Sequence, residues 1–101
     1  MIEVHDNRDK MRYEVTVDGE LAGFARYQMR GGRLVFIHTE IDDAFEGQGV
    51  GSTLASEALD DARKRSLKIL PLCPFIAGYI ERHPEYDDLV DHEMLALIDR
   101  D

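Results

Sequence analysis

Apolar and polar side chains alternate through much of the first forty residues, and from residue 50 the apolar positions take helical spacing. Ile2 to Asp6 reads as a short edge strand, followed by a polar turn through Asn7 to Lys10. Tyr13, Val15 and Val17 alternate with Glu14 and Thr16, as in a strand with one buried face. Asp18-Gly19 is a hairpin signal, and Arg30-Gly31-Gly32 is a second turn. The run between them is expected to put Leu21, Ala25 and Tyr27 on one face and Phe24 and Arg26 on the other. In the next run, Arg33 to Ile41, Val35, Ile37, Thr39 and Ile41 are expected on one side, and Leu34, Phe36, His38 and Glu40 on the other. Both sides are apolar as far as His38, which predicts a central strand covered on both faces.

Beyond residue 50, Val50, Leu54, Ala55, Ala58, Leu59 and Ala62 fall on one helical face, with Glu57, Asp60, Asp61, Lys64 and Arg65 mostly opposite. Leu67 to Leu72 is a short apolar run of the kind a buried strand shows, and a right-handed crossover sets it parallel to 33–41. Pro74 suits the first position of a second helix carrying Phe75, Ile76, Tyr79 and Ile80, stopped near His83-Pro84. The order β-β-β-β-α-β-α is an α+β layout, a mostly antiparallel sheet with one parallel crossover. The expectation is a single domain over 1–101 with its core in about 2–90; residues 91–101, with Met94, Leu95, Leu97 and Ile98, read as a tail or short helix.

Composition narrows the function classes. Charged residues make up 33% of the chain, with both signs interspersed, and the net charge is −9, which argues against nucleic acid as partner. A small anion can still bind a local nest of N–H groups, with positive potential then expected from Arg63, Lys64 and Arg65. A single cysteine, Cys73, rules out an intrachain disulfide and suits a reducing compartment. The N-terminus has no basic-then-apolar signal, and no apolar run approaches the length of a membrane span. The expectation is a cytoplasmic protein with no membrane association, with monomer and weak homodimer both open.

The stretch HTEIDDAFEGQGVGS, His38 to Ser52, joins the last strand of the meander to the long helix. Gly47, Gly49 and Gly51 alternate there, so several backbone N–H groups meet the positive end of a helix dipole, an arrangement suited to phosphate or pyrophosphate. If helical, Gly49 and Gly51 each cost about 1 kcal/mol relative to Ala, which implies close approach of a ligand or of a neighbouring element. Ser52 three residues after Gly49, and Leu54 three after Gly51, break the dinucleotide fingerprint, and no Lys-Ser or Lys-Thr completes a P-loop.

The motifs in order, HTE at 38–40, EGQGVGS at 46–52, PLCPF at 71–75 and YIERHPEY at 79–86, resemble the GNAT superfamily of acetyl-CoA-dependent acyltransferases. More narrowly they resemble its minimal, single-domain Yjdj-type family, from about residue 10 to Val90. The superfamily signature Arg/Gln-x-x-Gly-x-Gly/Ala corresponds to Glu46 through Gly51. Glu46 departs from it; because the narrower family often carries an acid there, its side chain is expected to point away from the pyrophosphate. The resemblance implies acetyl-CoA as cofactor, held by backbone N–H groups of Gln48, Gly49, Val50, Gly51 and Ser52 in the turn that begins at Gly47. It also implies a pantetheine arm lying between the fourth strand at Thr39 to Ile41 and a wall of Leu72 and Cys73.

Acyl transfer needs a base, a polarised carbonyl and a proton for the leaving thiolate. Cys73 directly precedes Pro74, at the start of the second helix, where the dipole favours a thiolate able to take and pass on the acetyl group. The alternative is a buried cysteine acting as a small hydrophobe. His38 and Glu40 share a strand face and are candidates for base and orienter, for an amine or for Cys73, or for a role in the sheet alone; two ligands are too few for a metal site. Tyr79 is, by the resemblance, a candidate acid for the thiolate, with core packing as its alternative, and His83 is expected to cap the helix C-terminus. The leading reading is N-acetyl transfer to a small amine or protein lysine. A non-catalytic acyl-CoA-binding domain and a thioesterase working through Cys73 are the competing ones.

Overall fold

The computed structural model describes residues 1–98. Four strands, β1 (Ile2–Asn7), β2 (Arg12–Val17), β3 (Glu20–Arg30) and β4 (Arg33–Ile41), form an antiparallel meander, and β5 (Lys68–Pro71) adds parallel to β4, in the order β1-β2-β3-β4-β5. Helix α1 (Val50–Lys64) makes the crossover; α2 (Pro74–Arg82) follows β5, and α3 (His92–Ile98) closes the described chain. Short 3-10 turns occupy Asp43–Phe45 and Pro84–Leu89. No described helix is long and apolar enough to cross a membrane. The segment expected as tail or short helix is therefore helical over His92–Ile98, with Leu95 against the core; residues 99–101 lie outside the described part.

All six apolar positions read on the α1 face are buried, and three of them are alanines, which let the helix axis lie close to the sheet. Tyr13 and Val15 of β2, Ala22, Ala25 and Tyr27 of β3, and Leu34 and Phe36 of β4 face them. Two of the strand assignments are corrected here. Val15 faces Gly23 while Thr16 faces Leu21, so Ala22 is an extra residue in β3. That bulge changes the parity of the strand, so Ala22 enters the core and Leu21 is left 45% exposed.

The second bulge matters more. Arg26 faces His38 while Tyr27 faces Phe36, which makes Ile37 the extra residue of β4. Strict alternation would set Thr39 and Ile41 opposite Leu34 and Phe36 in facing. Instead Thr39 pairs with buried Ala25, and Ile41 packs on the same core as Leu34 and Phe36. His38 and Glu40, paired with Arg26 and Phe24, point outward. The strand is thus covered on both faces only in its first half, where Val35 on the outer side is also buried.

Pairing of β5 with β4 runs from Arg33–Lys68 to Phe36–Pro71 and stops there, shorter than the 67–72 strand expected. The N–H groups of Leu72 and Cys73 both donate to the Phe36 carbonyl at 3.0 Å. Beyond it β4 continues to Ile41 while the segment after β5 turns into α2. A gap therefore opens between β4 and the chain beyond β5 at the residue where the bulge begins.

Candidate functional site

The glycine turn lies at the C-terminal end of β4. Gly47 and Gly49 have φ of +81° and +76°, a region costly for side chains, and open space surrounds the position of a Cβ at each. Their role is conformational. Gly49 is the N-cap of α1 rather than part of it, so the helix-propensity cost expected there does not arise. The first return bond of the helix is Thr53 N–H to Gly49 O at 3.0 Å, and no side chain caps the end. The N–H groups of Val50, Gly51 and Ser52 therefore have no partner among the described residues, and they converge at the positive end of a 15-residue helix.

Gly51 has a different cause. A Cβ on it would lie 2.8 Å from the Phe75 ring and 3.7 Å from Ile41. The helix start, the first turn of α2 and the end of β4 thus meet around a missing side chain. The close neighbour there is Phe75, the last residue of the PLCPF motif.

The cations expected to supply positive potential do not reach this turn. Arg63 and Arg65 are at the other end of α1, about 22 Å away at 1.5 Å per residue. Arg63 is bonded to Asp88 at 2.8 and 2.9 Å, and Arg65 faces Asp6 and Asp61 at 3.5 and 3.4 Å. The turn itself is flanked by exposed Asp42, Asp43 and Glu46. Any anion there is held by peptide dipoles against a negative surround.

At the floor of the gap Thr39 Oγ1 and Cys73 Sγ are 3.2 Å apart in a hydrogen bond. Cys73 is the N-cap of α2, as Pro74 implied, but its sulfur makes no capping bond and turns to Thr39 instead; it is 3% exposed. Leu72, the residue before it, is 40% exposed.

His38 and Glu40 are joined by a hydrogen bond of 2.9 Å on the outer face. Phe24 meets the imidazole edge-on at 6.2 Å between centroids, and the Arg12 guanidinium lies 4.5 Å over the Phe24 ring. Arg12 in turn bonds Glu14 at 2.6 Å. Burial works against the charge on Glu14, but the bonds from Arg12 and Asn7 outweigh it and hold the carboxyl below its ordinary range. Glu40 also lines a cleft of about 420 Å3 with Phe24, Leu21, Asp42 and Asp43. The bulge thus sets His38 and Glu40 on one side of the sheet and the Thr39–Cys73 pair on the other. One acid–base unit serving Cys73, as the strand alternation allowed, is not what the geometry gives.

Tyr79 is buried in the same core as Cys73. Its ring stacks on His83 at 4.1 Å and lies 6.0 Å from Tyr86, whose hydroxyl donates to Asp60 of α1. His83 is the C-cap residue of α2, with its imidazole engaged in that stack.

Residues 12–89 match the family model described as GCN5-related N-acetyl-transferase. The chain belongs to that family. Protein NATD1 of Gallus gallus and of Mus musculus are each 32% identical to it over 85 residues, covering 82% of this chain and 77% of the relative. Protein NATD1 of Homo sapiens is 32% identical over the same length, with 82% and 75% covered. The α+β layout, a five-stranded and mostly antiparallel sheet with one parallel pair, is thus the fold of a GCN5-related N-acetyltransferase.

Proposed function

We propose that the protein is an acetyl-CoA-dependent N-acetyltransferase acting on an amine, either a small molecule or a protein lysine. One observation carries this reading: three unpartnered N–H groups at the start of α1 stand beside a gap whose floor is the Thr39–Cys73 pair. In this reading the N–H groups of Gln48 to Ser52 hold the pyrophosphate. The β4 edge at Thr39 to Ile41 runs along the pantetheine arm, and Leu72 and Cys73 form the opposite wall. The amine approaches from the outer face through the acidic cleft at Glu40, which suits a cation. Glu40, oriented by His38, takes its proton. Once that proton has passed from Glu40 to solvent, the amine nitrogen bonds to the thioester carbon and gives a second proton to Glu40. The carbon–sulfur bond breaks, and the departing thiolate takes a proton from the Cys73 thiol, which regains one from solvent. Tyr79, stacked on His83, is not assigned to that step.

The Thr39–Cys73 bond supports a second reading, in which Cys73 carries the acetyl group. Its sulfur then bonds to the acetyl carbon, its proton leaves with the CoA thiolate, and the amine attacks the new thioester. Calorimetric titration with acetyl-CoA, CoA and ADP tests the common part. All three are expected to bind, acetyl-CoA most tightly, and more tightly as salt screens the net charge of −9. No binding at millimolar ligand would sink both readings. An acetyl adduct in the intact mass of the wild type, absent in Cys73→Ser, selects the carrier route. CoA release that needs no amine points to thioester hydrolysis instead, and ligand binding without turnover to a binding domain.

A further inference from the structure

On the outer face of the sheet an apolar groove begins beside the gap. It is a cavity of about 390 Å3 with Val35 and Leu70 as its floor, Leu72 at its upper end, and Met94 and Ile98 of α3 along its side. Val35 and Leu70 are register partners, so the floor is continuous across β4 and β5. Helix α3 is fixed over this face from its N-terminal side. Asp91, one residue before it, accepts from Arg33 Nε at 2.6 Å and donates its N–H to the Ile69 carbonyl at 3.1 Å.

Two observations say what the groove takes. The first is continuity: Leu72 belongs both to the wall of the gap and to the groove. Successive residues of an extended chain point to opposite faces, so Leu72 faces the groove where Cys73 faces the core. The second is charge. Among the described residues no carboxylate lines the groove, and the cations there are turned to other partners, Arg33 to Asp91 and Arg30 to the Gln28 amide oxygen at 3.1 Å. A cationic amine is therefore poorly matched here and well matched to the acidic cleft at Glu40. An uncharged alkyl chain is what fits. The floor from Leu72 to Leu70 spans two strand residues, about 7 Å at the strand rise of about 3.3 Å, long enough for several methylenes.

Resting on the acyl-CoA reading above, we propose that the protein takes acyl-CoA thioesters longer than acetyl, with the alkyl chain passing through the β4–β5 gap into this groove. Titration of the full chain with CoA, acetyl-CoA, butyryl-CoA and hexanoyl-CoA tests it. Each buried methylene contributes up to about fourfold in affinity, so hexanoyl-CoA is expected to bind at least about tenfold more tightly than acetyl-CoA. Met94→Glu puts a carboxylate beside the chain, and Ile98→Trp fills the groove. Both are expected to remove the gain while leaving CoA and acetyl-CoA binding unchanged, with thermal unfolding followed to show that each variant is folded. Affinity that is flat or falling with chain length, while CoA still binds, overturns the groove assignment alone. A gain that survives both substitutions overturns it too. Failure to bind CoA itself overturns the acyl-CoA reading and this one with it. Sedimentation alongside covers the remaining occupant: a dimer lost in Met94→Glu, together with a flat series, gives the groove to a second copy of the chain and overturns the proposal.

Discussion

Gly23 and Gly51 are small for contact reasons, whereas Gly47 and Gly49 are small for conformational ones, and the difference decides what an added methyl group costs. At Gly23 a Cβ would lie 2.7 Å from Ile41 Cδ1 and would also meet the Glu40 carbonyl oxygen, which is backbone of a paired strand and cannot retreat. Gly23→Ala is expected to lose about 3 kcal/mol, at the upper end of the overpacking range, read from urea unfolding. At Gly51 the obstacle is the far end of the Phe75 ring, which can tilt, and helix propensity returns about 1 kcal/mol for alanine. Gly51→Ala should therefore lose no more than about 1 kcal/mol, and Phe75→Leu in the same chain should recover it as a positive coupling in the double-mutant cycle. Equal losses at positions 23 and 51 would contradict this account.

The bulge in β4 and the end of β5 pairing fall at the same place, Ile37 and Phe36. A bulge bends its strand and increases the local twist, which carries β4 away from β5 and opens the gap. Removing Ile37 would leave Phe36 opposite Tyr27 and His38 opposite Arg26 with no residue between, so ordinary antiparallel pairing is restored without changing which face any side chain takes. The deletion variant is expected to stay folded, within about 2 kcal/mol of wild type in urea unfolding, since most single changes fall in that range. Its affinity for acetyl-CoA, measured by calorimetry, should drop by at least about tenfold, or about 1.4 kcal/mol. Full affinity in the folded variant would separate the bulge from the site.

Across the whole molecule, the basic end of α1 works as a clamp. Tyr13 donates to Asp61 and Tyr27 to Asp6, each at 2.6 Å, and Arg65 lies between the two carboxylates. This ties β1, β2 and β3 to the C-terminal turn of α1. Burial, then the bond to Asp6, pushes the Tyr27 hydroxyl up to about 12, and burial with the Asp61 bond pushes Tyr13 up as well. A tyrosine whose folded pKa lies above the unfolded value of about 10 keeps its proton when folded and loses it when unfolded. The stability it lends is complete below about pH 10 and is lost as pH rises from about 10 towards 12. Urea midpoints are expected to fall steeply across that interval and less steeply in Tyr27→Phe; an identical slope in the variant would remove Tyr27 from the account.

Much of the fold is legible in one dimension because it depends on local spacing. The period-two runs mark the strands, the positions from Val50 to Ala62 define one buried helical stripe, and Pro74 marks the first residue of α2. The glycine turn is legible for the same reason, since positive φ at Gly47 and Gly49 is a property of single residues. The two bulges are not legible, because an extra residue in a strand is defined only by the strand opposite. Without β2 and β3 in register, Leu21 looks as fit for the core as Ala22, and Thr39 looks set against Phe36. Nor could the chain order show that Arg63 and Arg65 stand a full helix length from the turn they seemed to serve, or that Gly51 makes room for Phe75. The types of residue and their local conformations were determined by near neighbours in the chain. Which side of the sheet holds Thr39, beside Cys73, and which holds His38 and Glu40 was decided by tertiary structure, because one unpaired residue in β4 reverses the facing of the residues after it in that strand.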